Sequence, residues 1–272
     1  MLATDFEYDG IRLSDLGFVI CHFGGVGGSE TIAGSDITFN TVSTRGGMRH
    51  HLTSSEYSEG LTATFQICKN LCDGSGEKIS IEDYRDITRW LCRREYHKLK
   101  FVNDEFAGIY FEASFNVNKI EVGGRLCGFE LSIFTNRPYA IAESVTINID
   151  ADGTDDIIRI YNVSDEEGFI YPDMKITIGD IGDEHKTLEI FNKTSNRKMT
   201  IRNCSADEEI EIKYPMITSL PLSHNHNKTI MKDFDWVFFN LASSFHDNLN
   251  EITVNLPCSI ELSYSPIVKI GI

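Results

Sequence analysis

The sequence lacks any long hydrophobic run. No apolar stretch approaches the ~18 residues that a membrane-spanning helix requires, and residues 1–10 contain neither the basic nor the apolar region of a cleaved secretion signal. We therefore predict no transmembrane segment, no membrane partner and no signal peptide, and we expect folding in the cytoplasm of the cell that makes the chain. Its 272 residues suffice for one large or two ordinary domains, of which we favour two.

An excess of positive charge is also missing. The formal net charge is −16, with −5 over residues 1–140 and −11 over residues 141–272. Proteins that bind nucleic acid obtain much of their affinity from Lys and Arg side chains that displace phosphate counterions. The charge therefore argues against sequence-specific binding of DNA or RNA.

The seven cysteines do not form a recognisable pattern. The count is odd, and the nearest pair, Cys68 and Cys72, has no second pair or His cluster to complete a zinc site. We expect reduced, mostly buried thiols and no structural zinc.

No catalytic signature is present either. No motif places a nucleophile beside a base and an orienting acid. The glycine run Gly24–Gly28 lacks the Lys-Ser/Thr ending of a phosphate-binding loop, and no helix follows it, so we interpret it as a surface loop. Acidic groups such as Asp207-Glu208-Glu209 are expected by chance in a chain this acidic, and we expect them to line solvated edges.

Two groups come nearest to a metal site. An acidic cluster lies at Asp150, Asp152, Asp155 and Asp156, but Tyr161 stands where a calcium-binding EF-hand loop needs Glu, so we interpret the cluster as a solvated turn. His224 and His226 would need a third ligand from elsewhere and are interpreted as a polar loop. The adjacent His50 and His51 are interpreted in the same way, because neighbours in a strand would face opposite ways. We predict no metal, no cofactor and no enzymatic activity.

Alternating apolar and polar residues predict strands in the first half of the chain. Residues 6–13 form a hairpin closed by Asp9-Gly10, and residues 61–67 form a half-buried strand. The segments Ile109–Val117 and Phe129–Ile133 are predicted to pair through a Gly123-Gly124 turn. This half is therefore mainly β.

One amphipathic helix interrupts the strands, and we predict it over Ser80–Phe101. Ser80 can cap the first turn with Asp83 in a capping box. Apolar side chains then share one face, whereas arginines point outward; the apolar set is Tyr84, Ile87, Trp90 and Leu91. The apolar face is predicted to pack on a sheet.

A domain boundary is predicted at Pro138, which removes a backbone donor and restricts the residue before it. We therefore predict a domain over 1–138 and a second over 139–272. Seven or more short alternating strands follow the boundary, separated by turn-rich segments, which is typical of a β-sandwich or jelly roll.

The order of these elements resembles the distal tail protein (Dit) family of long-tailed, non-contractile bacteriophages. In the first half the resemblance rests on Asp9-Gly10, Asp15-Leu16-Gly17, Arg89-Trp90-Leu91, Tyr110-Phe111, Phe129 and Arg137-Pro138-Tyr139. In the second half it rests on Asn162, Gly168–Pro172, Ile190-Phe191-Asn192 and Ile260–Tyr264. The chain departs from the family at Asp247–Asn250, where a Gly-x-Asn turn is expected.

The resemblance implies a structural protein of the virion tail tip. The implied fold is mainly β, with an N-terminal β-sandwich-like ring domain that carries one α-helix and a long hairpin, and a C-terminal galectin-like β-sandwich. Six copies of the first domain would close into a ring around the DNA channel. The implied partners are further copies of the chain, the tail tube protein, a tail-associated lysin or spike protein and, in some members, a receptor-binding protein.

Two details of the ring are predicted from charge. The outward arginines of the helix segment, Arg85, Arg89, Arg93 and Arg94, are candidates for subunit contacts. The channel is expected to be non-basic, because a wall rich in Lys and Arg would retain DNA.

Two other functions remain open at the level of sequence. The second domain would act as a carbohydrate-binding module for host-surface glycans if Trp236, Phe238 or Tyr171 offered exposed rings for stacking, although such aromatics more often pack in a core. A glycoside hydrolase would need two carboxylates about 5–9 Å apart in a cleft.

Overall fold

A computed structural model describes residues 5–21, 34–43, 47–57, 60–70, 78–154, 156–182, 184–214, 222–223 and 228–272. The chain divides into two compact units, Glu143–Ile267 and a unit formed by Met1–Ala142 with Val268–Ile272. The division lies four residues beyond the boundary predicted at Pro138, and the last five residues belong to the first unit. Both units consist mainly of antiparallel strands, which confirms the predicted fold class.

The elements of the first unit are, in chain order, β1 (Phe6–Tyr8), β2 (Ile11–Arg12), β3 (Phe18–Cys21), β4 (Ile37–Ser43), β5 (His50–Tyr57), β6 (Thr62–Lys69), α1 (Ile81–Leu91), β7 (His97–Phe101), β8 (Ile109–Val122), β9 (Arg125–Thr135) and β10 (Ala140–Ala142). Single 3₁₀ turns lie at Ser14–Leu16 and Asp104–Phe106. The main sheet has the order β2-β1-β7-β8-β9-β6-β3, β10 pairs with β8, and β4 and β5 form a separate two-stranded sheet.

Both predicted hairpins of the first unit are confirmed. Asp9 and Gly10 adopt φ of 53° and 78° between β1 and β2, and Gly123 and Gly124 adopt 59° and 73° between β8 and β9. Positive φ at both central residues gives a two-residue turn the twist that antiparallel strands require. The local turn signal therefore sets the register of the first hairpin, whereas in the second a bulge between Ile120 and Glu121 shifts the register beyond the turn.

The helix is shorter than predicted. Its start is confirmed, because the Ser80 hydroxyl accepts the Asp83 N–H at 3.0 Å while the Asp83 carboxylate accepts the Ser80 N–H at 2.7 Å. It ends at Leu91, so the prediction of helix to Phe101 is wrong. Residues 97–101 form β7, in which Leu99 and Phe101 are buried and pairing with both β1 and β8 outweighs helix propensity.

One hydrophobic core lies between α1 and one face of the main sheet. Trp90 stacks on Phe6 with ring centroids 5.6 Å apart, and its indole N–H donates to the Tyr8 carbonyl at 3.0 Å. Tyr84 stacks on Phe129 at 5.9 Å. The predicted packing of the apolar helix face on a sheet is confirmed.

The elements of the second unit are β11 (Val145–Asp152), β12 (Ile158–Tyr161), β13 (Gly168–Ile170), β14 (Asp173–Ile178), β15 (Lys186–Asn192), β16 (Arg197–Cys204), β17 (Glu209–Ile212), β18 (Leu222–Ser223), α2 (Ile230–Asp233), β19 (Leu241–Ser243), β20 (Leu249–Val254) and β21 (Pro257–Tyr264). A last strand, β22 (Ile267–Val268), spans the point where the chain passes between the two units.

Two sheets of this unit share one core. The first has the order β11-β21-β14-β17-β18 and the second β12-β20-β15-β16. Buried residues of both contribute to a single cluster, among them Ile176 and Ile260 from the first sheet and Ile190 and Ile252 from the second. The predicted β-sandwich is confirmed.

The cysteines are less buried than predicted. Among the six that the structure describes, all free thiols, only Cys204 and Cys258 are buried, and Cys92 is exposed at the end of α1. Cys72 lies outside the described residues. Within the described ranges no helix has both the length and the apolar content to cross a membrane.

Candidate functional site

The sheet formed by β4 and β5, here called the arm, stands apart from the main sheet of the first unit. Every residue of β4 is exposed, and so is every residue of β5 except Tyr57, which is half-buried. A two-stranded hairpin is at best marginally stable in water by itself. The arm therefore presents both of its faces without cover from the described part of its own chain.

One face of the arm carries a group of large apolar side chains. The register pairs Ile37 with Tyr57 and Thr41 with Leu52, and Phe39 lies between Ile37 and Thr41 on the same side of the strand. Ile37, Phe39 and Leu52 are 45%, 62% and 58% exposed. Large side chains of this kind in one patch mark an interaction surface.

The opposite face of the arm is mostly polar, although it includes Val42, which is 56% exposed. Thr38 pairs with Glu56 and Asn40 with Ser54, and the Asn40 amide donates to the Ser54 hydroxyl at 3.0 Å. His50 and His51 lie in β5 and not in the predicted loop; His51 points to this side and His50 to the other, as neighbours in a strand do. The arm is thus amphipathic, like a strand pair that packs on a partner.

The root of the arm is fixed to the first unit through Tyr139. The Tyr57 ring meets the Tyr139 ring edge-on with centroids 5.5 Å apart. Gly34, just before β4, lies so close to Tyr139 that a Cβ on it would come within 2.7 Å of the ring. The arm is therefore anchored at its base while its apolar face stays exposed.

Sequence reasoning missed the arm. The only sequence signal for β4 is the alternation of Ile37 and Phe39 with Thr38 and Asn40. An alternation of this length occurs in many of the other strands as well. Nothing in the sequence distinguishes a strand that joins a large sheet from one that stands alone.

Three of the four predicted interface arginines are exposed. Arg85 and Arg89 lie on the outer side of α1 and Arg94 follows it. Arg89 pairs with Asp86 at 2.9 Å, but both side chains are mainly in solvent, so this pair contributes at most about 1 kcal/mol. All three guanidinium groups can therefore reach a partner.

Arg93 does not point outward as predicted. Its guanidinium donates to the Asp9 carboxylate at 2.6 Å and to the Trp90 carbonyl at 2.8 Å, and it lies over the Tyr8 ring at 5.4 Å. The hydrogen bond from Arg93 lowers the pKa of Asp9. Arg93 thus ties the end of α1 to the β1–β2 hairpin within its own unit.

A charge reversal tests the exposed arginines. We expect the double variant Arg85→Glu/Arg89→Glu to reduce association between copies, because it places carboxylates where cationic contacts are predicted. Native mass spectrometry over a concentration series measures the association, with Lys232→Glu in the second unit as the matched control. Unchanged assembly of the double variant would refute the interface role of these arginines.

The aromatic residues predicted to stack on glycans gather in one cluster of the second unit. Tyr171 packs on Tyr214 at 4.1 Å between centroids, Tyr214 on Phe238 at 5.4 Å, and Phe238 and Trp236 both pack on the buried Phe234. Only Trp236 counts as exposed, at 39%. The cluster therefore uses most of its ring surface internally.

One of the acidic candidates, Asp152, has a structural role. Asp152 caps its own turn by accepting the Thr154 N–H at 2.9 Å and the Thr154 hydroxyl at 2.6 Å, which lowers the pKa of Asp152. Within the described ranges no group of three or more His, Cys, Asp or Glu side chains could hold a metal ion. Gly24–Gly28, Asp155, His224 and His226 lie outside the described residues.

Glu208 contradicts the expectation of a solvated edge. Its carboxylate pairs with the Lys228 ammonium at 2.6 Å, and the two side chains are 1% and 0% exposed. A second carboxylate oxygen accepts the Ser205 N–H at 2.9 Å. The burial of this pair could not be predicted, because its two residues are far apart in the sequence.

Comparisons with known proteins agree with the sequence resemblance. A family model described as the N-terminal domain of a phage tail protein matches residues 1–137, and one described as a phage tail C-terminal domain matches residues 139–264. No curated protein matches the chain.

One solved structure shares the fold of this chain. The Dit protein (gp 19.1) of phage SPP1, described as a paradigm of the hub adsorption apparatus in phages that infect Gram-positive bacteria, superposes with a TM-score of 0.67 at 12% identity, over 97% of this chain and 99% of that one. A chain of the phage P2 baseplate in its activated conformation with Ca has a TM-score of 0.47 at 9% identity, over 97% and 98%. The first likeness shows a shared fold; the second is too distant to argue from.

Proposed function

The chain belongs to the family of phage tail proteins whose N-terminal and C-terminal domain models match it. From that premise we propose that it is a distal tail protein whose copies form a hexameric ring hub between the tail tube and the tail tip. The first unit would form the ring and the second would project from it. The proposed neighbours are the tail tube protein, a tail-associated lysin or spike protein and, at the periphery, a receptor-binding protein. The role is structural, without catalysis.

The arm is the observation that carries this proposal. Its exposed apolar side chains would be buried by packing against another protein surface. In a ring, the neighbouring copy would bury the arm of every subunit in the same way. A contact in which the arm of one copy meets a different surface of the next is heterologous, and such contacts generate rings when the rotation closes. The fold shared with the SPP1 hub protein supports the same assignment.

One face of the main sheet is a candidate lining for the channel. On the face opposite α1, strands β6, β8 and β9 present mainly neutral polar and acidic side chains, among them Thr64, Gln66, Asn116, Ser132 and Glu130, whereas β7 presents Lys98 and Lys100. Such a surface would hold DNA weakly, because it adds few cationic contacts to phosphates. We place this face on the channel side of the ring.

Two variants of the arm test the proposal. We expect Phe39→Asp to break the ring into single chains, because the new carboxylate would be buried in the contact without a partner. Asn40→Asp changes the neighbouring residue on the polar face and is the matched control. Native mass spectrometry of both variants and of the unaltered chain, at equal concentration, reports the number of copies.

Cryo-electron microscopy of the assembled particle supplies the second readout. We expect six copies, each arm covered by its neighbour, and a channel without a continuous Lys and Arg lining. A ring that Phe39→Asp leaves intact, or one in which the arms stay uncovered, would contradict the assignment.

A further inference from the structure

The second unit carries an open groove on the outer face of the sheet β12-β20-β15-β16. Its volume is about 460 Å³, and it is lined by Glu189, Phe191, Asn196, Lys198 and Thr253. This volume lies in the range of small-ligand sites, roughly 300–1,000 Å³. The groove is separate from the aromatic residues that the sequence suggested for glycan stacking.

Phe191 forms the apolar floor of the groove. Along β15, Leu188 and Ile190 turn into the core, so Glu189 and Phe191 lie on the opposite face. The register places Lys198 of β16 on one side of Phe191 and Thr253 of β20 on the other. In the described part of the chain no other aromatic ring packs on Phe191, which leaves its half-buried ring accessible from the groove.

Polar groups surround this ring. The Lys198 ammonium donates to the Glu189 carboxylate at 3.1 Å, and both side chains are partly exposed, at 51% and 39%. Asn196 closes the turn before β16 with φ of 52°, and its side chain is exposed. The groove therefore combines one aromatic ring with an acceptor, a cationic donor and an amide that can do both.

We propose that this groove binds a neutral pyranose saccharide. The apolar side of a sugar ring matches the face of Phe191, while the sugar hydroxyls, which both donate and accept, match Glu189, Lys198 and Asn196. The charges of Glu189 and Lys198 cancel, so the groove holds no excess positive charge for a phosphate or sulfate ester. Saccharide binding by this face is an addition to the hub role and does not depend on ring formation.

Saturation-transfer NMR on the full chain tests the groove. The probes are the methyl glycosides of glucose, galactose, N-acetylglucosamine and rhamnose, each at millimolar concentration, and the dissociation constant of any bound sugar follows from titration. We expect Phe191→Ala to weaken binding about tenfold, the loss that corresponds to one aromatic stacking contact. Glu189→Gln should weaken it as well, because the amide keeps the shape but loses the carboxylate acceptor.

Phe245→Ala is the matched control, since Phe245 is 84% exposed and does not line the groove. We expect this variant to bind as the unaltered chain does. The proposal is overturned if none of the four sugars gives saturation transfer, or if Phe191→Ala binds as tightly as Phe245→Ala. Circular dichroism of each variant confirms that the second unit is folded, and either result leaves the ring test with the arm variants unaffected.

Discussion

Lys228→Met should destabilise the second unit by about 3–5 kcal/mol, because it leaves the Glu208 carboxylate buried without its cation. The pair is closed at 2.6 Å with both side chains essentially out of solvent, and Lys228 also donates to the Cys204 thiol sulfur at 3.5 Å. Hydrogen exchange read by mass spectrometry in urea measures the change separately in each unit.

The controls separate the buried pair from a general loss of charge. Lys175→Met removes an exposed partner of Glu209 at 3.6 Å and should cost at most about 1 kcal/mol. The double variant Lys228→Met/Glu208→Gln removes both charges while the glutamine carbonyl can still accept the Ser205 N–H, so it should recover most of the loss. If the double variant were as unstable as Lys228→Met alone, an unpaired carboxylate could not be the cause.

The features that the sequence predicted well depend on neighbouring residues. The capping box needs only Ser80 and Asp83, and the two hairpins need only Asp9-Gly10 and Gly123-Gly124. In each case a side chain or a permissive backbone satisfies groups a few residues away, so the physical cause is written in the local sequence.

The features that it missed depend on distant residues. Residues 97–101 contain apolar positions that a helix extended from α1 could also use, and only pairing with β1 and β8 makes them a strand. In the sequence Glu208 cannot be distinguished from a surface acid, because its partner Lys228 is identified only by the fold. Arg93 likewise cannot be distinguished from an outward arginine, because only the fold brings it to Asp9. The arm is likewise exposed because no other described element packs on it, which its own sequence does not reveal.

For the candidate site the same distinction holds. The exposed positions of Arg85, Arg89 and Arg94 follow from helical spacing and from the short segment after α1, so they were predictable. The arm and the Phe191 groove arise from strand order, which short alternating segments do not encode uniquely. The surfaces proposed for function are therefore those that required the structure.

Trp90→Ala is expected to destabilise the first unit by about 3–5 kcal/mol, the usual cost of deleting a large buried aromatic side chain. Trp90 is 6% exposed, stacks on Phe6, and lies edge-on to Tyr8 at 6.1 Å, so its removal leaves a cavity between α1 and the sheet. The same substitution also deletes the indole N–H that the Tyr8 carbonyl accepts. Hydrogen exchange of β8 and β9 measures the loss.

Trp90→Phe separates the hydrogen bond from most of the packing, because phenylalanine keeps a stacked ring but has no N–H to donate. It should cost about 1–3 kcal/mol, from the lost hydrogen bond to the Tyr8 carbonyl together with a smaller loss of volume. Ring assembly should survive this variant and fail in Trp90→Ala, since only the folded first unit can hold the arm in place. If β11 and β21 of the second unit lost protection equally in Trp90→Ala, the two units would unfold as one, and the separate stability assigned to each would have to be abandoned.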